Sequence, residues 1–402
     1  MFVHLMFGCL MVSASMIFEV CAMTESERSI ILNAHNNYRR ILATGKVANK
    51  DGSMMPQGAD IYELTYDKSI EEMAQKHADR CVIEHSTFQG RNYTGENINW
   101  SVEKDPAKAL QSVIDWWWSE LKTYGMETDL MWRERSEVGH WAQIAWAKTT
   151  KIGCGWKVCP SKDYPNGIYY VVCNYYQYGN IYNLPVYTAG SPCSKCAKCN
   201  DNLCVGPLPT LMPAVDASHR TLVLDIHNNY RRTLSSGKAR NKTGELLPQG
   251  ANINLLTYDS NTLESTAQQG ANSCSLKSRT YEERKGAGEL MYYNYGFFYP
   301  DEALKMASDA WWAQLETYGV NSTLEVNQAD FNRGIYSWSQ MVWAKTTKLG
   351  CGVQHCPKNS EVPTDFTLVI CDYSPAVNYG QVYEAGTSCS KCSKCSDKLC
   401  VS

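Results

Sequence analysis

The chain is written twice. Eight cysteines, Cys81, Cys154, Cys159, Cys173, Cys193, Cys196, Cys199 and Cys204, return in the same order as Cys274, Cys351, Cys356, Cys371, Cys389, Cys392, Cys395 and Cys400. Around the second cysteine of each set a long string repeats. Residues 139–155, beginning Gly139-His140-Trp141, return as residues 336–352, beginning Tyr336-Ser337-Trp338, in the frame Trp-x-Gln-x-x-Trp-Ala-Lys-Thr-Thr-Lys-x-Gly-Cys-Gly. Ala34-His35-Asn36-Asn37-Tyr38-Arg39-Arg40 likewise matches Ile226-His227-Asn228-Asn229-Tyr230-Arg231-Arg232. The copies lie much farther apart than solenoid repeats. The repeat is therefore a whole domain, and 402 residues suit two of them.

The cysteines also indicate a compartment. Residues 1–22 are apolar and nearly uncharged, and polar Thr24-Glu25-Ser26-Glu27 follows at once, the pattern of a secretory signal peptide. Its removal takes Cys9 and Cys21 and leaves an even set, which predicts a disulfide framework formed in an oxidising, extracellular setting. Four sequons, at Asn92, Asn99, Asn241 and Asn321, are candidate glycosylation sites. No second apolar run is long enough to span a membrane. A net charge of −3 without a Lys/Arg run argues against a nucleic-acid partner. The predicted organisation is signal peptide 1–22, first domain 23–190, Cys-rich hinge 191–204, Pro-rich linker 205–217, second domain 218–386 and Cys-rich tail 387–402.

Within the first copy, helical signals come first. Thr24 and Glu27 have capping-box spacing, Ile31, Ala34, Tyr38, Ile41 and Leu42 form an apolar stripe, and Gly45 offers a stop. A second helix is predicted from about Asp67 to Cys81. A third begins with Asp105 as cap and Pro106 in its first turn, and reaches Glu120. The segments Trp141–Trp146, Gly153–Val158 and Tyr169–Tyr175 read as short strands. Helices followed by strands predict an α+β fold with a helix-covered antiparallel sheet. The Cys-rich tails are too short for a core of their own and need disulfides to hold them.

The string Gly139-His140-Trp141-Ala142-Gln143-Ile144-Ala145-Trp146 resembles one signature of the CAP superfamily, the cysteine-rich secretory, venom-allergen and plant pathogenesis-related proteins. Val172-Cys173-Asn174-Tyr175-Tyr176-Gln177-Tyr178-Gly179-Asn180 resembles the other. Gly95-Glu96-Asn97 and Trp117-Trp118-Ser119-Glu120 match two further family motifs. Ala142 and Gln177 depart from the usual residues. The tandem format is similar to the Ancylostoma-secreted-protein, venom-allergen-like group of parasitic nematodes. The resemblance implies two α-β-α sandwiches, each followed by a short disulfide-rich hinge segment. It also implies the pairs Cys81–Cys159, Cys154–Cys173, Cys193–Cys199 and Cys196–Cys204, repeated as Cys274–Cys356, Cys351–Cys371, Cys389–Cys395 and Cys392–Cys400. Sequence alone leaves on the order of a hundred pairings per set open.

Four residues of the first copy are candidates for a cleft: His85, Glu96, Glu120 and His140. His85 lies four residues past Cys81, which places it on the continuation of the second helix's buried face. Glu120 follows Trp116 and Trp117 at helical spacing, so its carboxylate is aimed at apolar surroundings and needs a partner. Two imidazoles with carboxylates and water suit Zn²⁺ by ligand type, but the same four groups can also satisfy one another as a polar cluster. The resemblance implies these four as the family's cavity tetrad, with the histidines as metal ligands. No His-Glu-x-x-His motif, Gly-x-Ser-x-Gly elbow or unpaired thiol points to catalysis. In the second copy His85, Glu120 and His140 become Ser278, Gln314 and Ser337, and Glu289 alone remains, so no Zn²⁺ is expected there. His35 and His227 belong to the shared helix motif and are expected to be structural.

Three functions compete. The first is a secreted, non-enzymatic effector that engages host proteins or cell surfaces, its domains joined bivalently by the linker. The second is a lipid or sterol carrier whose groove is lined by aromatic stretches such as Met291–Tyr299. The third is a zinc-dependent hydrolase in the first domain.

Overall fold

A computed structural model describes residues 23–133, 135–208 and 212–401. The signal peptide expected at 1–22, with Cys9 and Cys21, lies outside the described residues, as does the middle of the linker. The first domain runs α1 (Glu25–Ala43), β1 (Thr65–Tyr66), α2 (Lys68–Ala78), β2 (Gly95–Ser101), α3 (Pro106–Tyr124), α4 (Gly139–Ala145), β3 (Lys151–Cys159) and β4 (Ile168–Tyr176), then the hairpin β5 (Cys199–Asn200) and β6 (Leu203–Cys204). The second repeats it as α5 (Ala217–Ser235), β7 (Thr257–Tyr258), α6 (Leu263–Asn272), β8 (Gly288–Tyr295), α7 (Pro300–Tyr318), β9 (Glu325–Val326), α8 (Gln328–Asp330), α9 (Tyr336–Val342), β10 (Lys348–Cys356), β11 (Phe366–Ser374), β12 (Gly380–Gln381), β13 (Cys395–Ser396) and β14 (Leu399–Cys400). The main sheets are ordered β1-β3-β4-β2 and β7-β10-β11-β8, antiparallel except for the short first strand of each. In the first domain α2 covers one face, while α1, α3 and α4 pack together on the other. Each domain is thus an α-β-α sandwich.

The local signals for α1 and α3 act as their chemistry dictates. Thr24 Oγ1 accepts from Glu27 N–H, and Glu27 returns a carboxylate to Thr24 N–H at 2.7 Å. Asp105 caps α3 through the Ala107 and Lys108 amides. Ile41, placed on the apolar stripe of α1, is instead solvent-exposed.

The shared frame fixes how the layers meet. A Cβ on Gly153 would lie 2.2 Å from the Glu71 nitrogen, and one on Gly155 2.3 Å from the Gln75 Cα, so the backbone of α2 rests directly on β3. Gly350 and Gly352 do the same under α6. Cys154 and Cys173 face each other across β3 and β4 and are bonded. The other sulfurs pair as Cys81–Cys159, Cys193–Cys199, Cys196–Cys204, Cys274–Cys356, Cys351–Cys371, Cys389–Cys395 and Cys392–Cys400. The β5–β6 hairpin is also tied back to its domain, through Glu63 N–H to Cys204 O and Cys204 N–H to Ile61 O.

Two expectations are corrected. Residues Trp141–Trp146 form the helix α4 and its cap, not a strand. Trp141, Ala142, Ile144 and Ala145 are all fully buried, and a short run that is apolar all round carries no period to read. Tertiary partners make the helix possible. Arg39, buried in α1, donates to the carbonyls of Ile144, Trp146, Ala147, Thr149 and Tyr62, satisfying the end of α4 and the turn beyond it. Arg231 repeats this in the second domain. Gln143 spans the same corner, donating to Thr149 Oγ1 and accepting from Gly179 N–H. The second helix, moreover, ends at Ala78 rather than Cys81. Cys81 takes a φ of 51°, and the chain turns away before His85.

The two domains touch directly. Tyr176 Oη donates to Asp365 at 2.6 Å, Asn183 donates to Asp309 at 2.8 Å, and Lys148 pairs with Glu302. Tyr93 stacks on Tyr295 with centroids 3.8 Å apart. The Met291–Tyr299 stretch, considered as a groove, is strand β8 plus the buried rings of Phe297 and Phe298. Its Tyr295 and Phe298 pack against Phe88, Tyr93 and Tyr178 of the first domain.

Candidate functional site

In the first domain, the loop after α2, the start of β2, a position about one turn before the end of α3 and the start of α4 bring His85, Glu96, Glu120 and His140 together as two imidazole–carboxylate couples. His85 Nδ1 lies 2.9 Å from Glu96 Oε1, and Ser86 adds its N–H at 2.8 Å and its hydroxyl at 2.6 Å to the same carboxylate. Burial would raise the Glu96 pKa, but the hydrogen bonds from His85 and Ser86 outweigh it and hold the carboxyl down at about 2. His140 Nδ1 lies 2.5 Å from Glu120 Oε1, and Trp141 N–H donates to Oε2 at 3.0 Å. The buried Trp117 ring stacks on His140, and the exposed Trp116 meets it edge-on.

The position of His85 differs from its prediction. It stands in an open loop with its side chain 55% exposed rather than on a buried helical face, whereas Glu96 and Glu120 are buried. Ser86, which gives Glu96 two hydrogen bonds beside that of His85, was missed as a site residue. Its adjacency to His85 gave no sign that its hydroxyl turns to the carboxylate.

A neutral imidazole whose Nδ1 donates to a carboxylate keeps its lone pair on Nε2, the arrangement found behind metal-ligating histidines. The donor set therefore fits a divalent metal held by two imidazoles, with the glutamates behind the rings. The four ligand atoms are not drawn together: among the described residues, the group of three or more that meets within 4.8 Å is Cys193, Cys196 and Cys204, all in disulfides.

In the second domain Ser278, Gln314 and Ser337 stand at the corresponding places. Gln314 keeps one duty of Glu120, accepting from Trp338 N–H at 3.1 Å. Glu289 is bound by Arg279, whose N–H reaches Oε1 at 3.1 Å and whose Nε reaches Oε2 at 2.5 Å. The same guanidinium donates to Asp372 at 2.7 Å and to the Thr266 carbonyl at 2.6 Å. A fixed guanidinium therefore sits on the one carboxylate left.

The model of the cysteine-rich secretory protein family, CAP, matches residues 32–175 and 224–373. The chain belongs to the CAP family. This CAP chain is 30% identical over 397 residues to the Ancylostoma secreted protein of Ancylostoma caninum, across 92% of this chain and 89% of that one. It is similar to the crystal structure of Na-ASP-1, with 28% identity, a TM-score of 0.52, and coverage of 96% of this chain and all of that one. NaASP2, solved with Zn²⁺, is 32% identical over 48% of this chain and 98% of its own, with a TM-score of 0.43. Among the described residues no helix is long and apolar enough to cross a membrane.

The sequon asparagines sit in different settings. Asn92 is exposed and Asn99 half-buried. The Asn241 amide donates to Val320 O at 2.9 Å, and the Asn321 amide to Glu325 O at 3.0 Å. His35 and His227 are buried, each held between a carbonyl of its own helix and a tyrosine hydroxyl.

Proposed function

We propose that this chain is a secreted, non-enzymatic effector of the nematode venom-allergen-like type that binds host proteins or cell surfaces. One observation carries the reading. The second domain keeps the sheet, the disulfides and the Arg231 clamp, while its cleft has exchanged both imidazoles and one carboxylate for Ser278, Ser337 and Gln314. What the two domains share is scaffold and surface. The zinc-dependent hydrolase alternative has no carboxylate free to act as general base, because Glu96 is engaged by His85 and Ser86 and Glu120 by His140 and the Trp141 amide. For the carrier alternative, the Met291–Tyr299 stretch offers no continuous groove: Phe297 and Phe298 are buried, Tyr295 packs on the first domain, and Tyr293 stands exposed. Direct contact between the domains also favours one composite surface over independent bivalent arms.

In the first domain His85 and His140 would hold a zinc ion through Nε2, with Glu96 and Glu120 orienting the rings. Such an ion would supply Lewis acidity and a fixed positive charge. The second domain binds none in this reading. Glycans are proposed at Asn92 and Asn99 ahead of Asn241 and Asn321, whose amides are engaged in the fold. The test is binding of the labelled full chain to host leukocytes and serum proteins, wild type beside a His85→Ala/His140→Ala double variant. Equal binding is expected. Loss of binding in the double variant, with folding intact by circular dichroism, would transfer the function to the tetrad.

A further inference from the structure

The cleft of the second domain has been rebuilt, not merely emptied. Between Gln314 and Ser337 the chain is three residues longer than between Glu120 and His140, and the segment contains α8 and a turn over Phe331–Ile335. With Tyr336 and the loop at Val377–Tyr379 this segment walls a cavity of about 510 Å³, floored by Ser278, Arg284 and Glu289. Phe331 meets Tyr336 edge-on at 5.1 Å and lies 5.6 Å from Tyr379, whose ring is 53% exposed. The wall therefore offers an aromatic face to the opening.

Three of the polar side chains around the cavity, Arg284, Asn332 and Asn378, present donors to it. The acidic residue lining it, Glu289, is occupied on both oxygens by Arg279. Arg284 is left at 3.9 Å from that carboxylate, outside hydrogen-bond range. It donates through Nη1 to the Arg279 carbonyl, while its Nε is shielded from solvent and has no partner. The counterpart in the first domain, Arg91, spends Nε on the Thr94 carbonyl. The Asn332 and Asn378 side-chain oxygens already accept from Gln328 and Tyr379, which turns their NH₂ groups to the role of donors. The Nη2 edge of the Arg284 guanidinium, two amide donors and an aromatic wall match a ring that carries a carboxylate. Nη2 takes a carboxylate oxygen, the amides take ring oxygens, and the apolar face of the ring lies on the aromatic side chains.

We propose that the second-domain cleft is a binding site for a small ring-shaped carboxylate, of which an acidic monosaccharide is the simplest form. It does not depend on the effector reading or on a metal in the first domain. The two clefts would thus divide by charge: the first would offer imidazole Nε2 atoms to a cation, the second guanidinium and amide donors to an anion.

Saturation-transfer NMR on the full chain tests this with D-glucuronate and N-acetylneuraminate as probes and D-glucose as the neutral control. Both acids should show transfer at millimolar concentration, and glucose should show none. Arg284→Gln should weaken the acids by about tenfold, the loss of one charge-assisted contact. Because Arg284 also supports its loop, Tyr379→Ala and Asn378→Ala, at exposed positions, are run beside it and should weaken binding by a few-fold without altering the circular dichroism. Methyl glycosides distinguish the source: retained transfer marks the end of a glycan, and transfer to the free acid alone marks a soluble ligand. Glucose binding as well as the acids, no transfer from either acid, or acid binding unchanged in all three variants overturns the proposal.

Discussion

Replacing Glu96 by Gln isolates the charge at the better-supported carboxylate of the first-domain site. The native carboxylate accepts from Ser86 twice and from His85 once, and its side chain is 1% exposed. A pKa held at about 2 against an ordinary 4.5 corresponds to roughly 3 kcal/mol of stability at neutral pH. The more exposed His85 contributes less through solvent screening, so a loss of about 2 kcal/mol is expected. The sign follows from the depressed pKa. The contribution is complete above pH 4.5, where the unfolded chain is ionised too, and disappears as pH falls through 2. Urea denaturation of the full chain by circular dichroism, fitted with two transitions because there are two domains, measures it at pH 7, 4 and 2.5. The variant should be weaker in one transition at pH 7, and most of the difference from wild type should be gone at pH 2.5. A loss of equal size at every pH, or none at pH 7, would show that the carboxylate's charge is not what its three donors stabilise.

Other outcomes follow from the same geometry. Gly155→Ala places a methyl 2.3 Å from the Gln75 Cα, a backbone atom that cannot step aside, and should cost at least about 2 kcal/mol by thermal unfolding. Lys148→Met or Glu302→Leu alone strands a buried charge at the domain junction and should cost about 3 kcal/mol, whereas the double variant should recover most of it in a double-mutant cycle. Burial lowers the pKa of His35 and His227 to about 4 from 6.5, so protonation favours the unfolded chain. Stability should be full above pH 6.5 and fall as pH drops towards 4, by about 3 kcal/mol per histidine, and His227→Gln should flatten that slope in one of the two denaturation transitions.

Much of the fold was legible because its signals are local. The capping box at Thr24, the Asp105 cap and Pro106 each act within one turn, and the sequence names them without ambiguity. The site was half legible. Glu120 was correctly aimed because its helix runs unbroken from Trp116, but His85 was misplaced because nothing local announces that the chain turns at Cys81. Arg279 was invisible as a site residue, since its partners Glu289, Asp372 and Thr266 come from three separate elements.

The sequence by itself determined that there are two copies of one domain and that the second had lost three of the four polar groups of the first, because residue identity at matched positions needs no coordinates. Tertiary structure alone decided that Trp141–Trp146 is helical, since Arg39, brought from distant α1, satisfies the carbonyls of Ile144 and Trp146 at its end. It also decided that the two domains pack on each other and that Arg279 closes over Glu289 in the second cleft. Those properties depend on which side chains remain unpaired after folding, and pairing across the chain is settled only when distant segments meet.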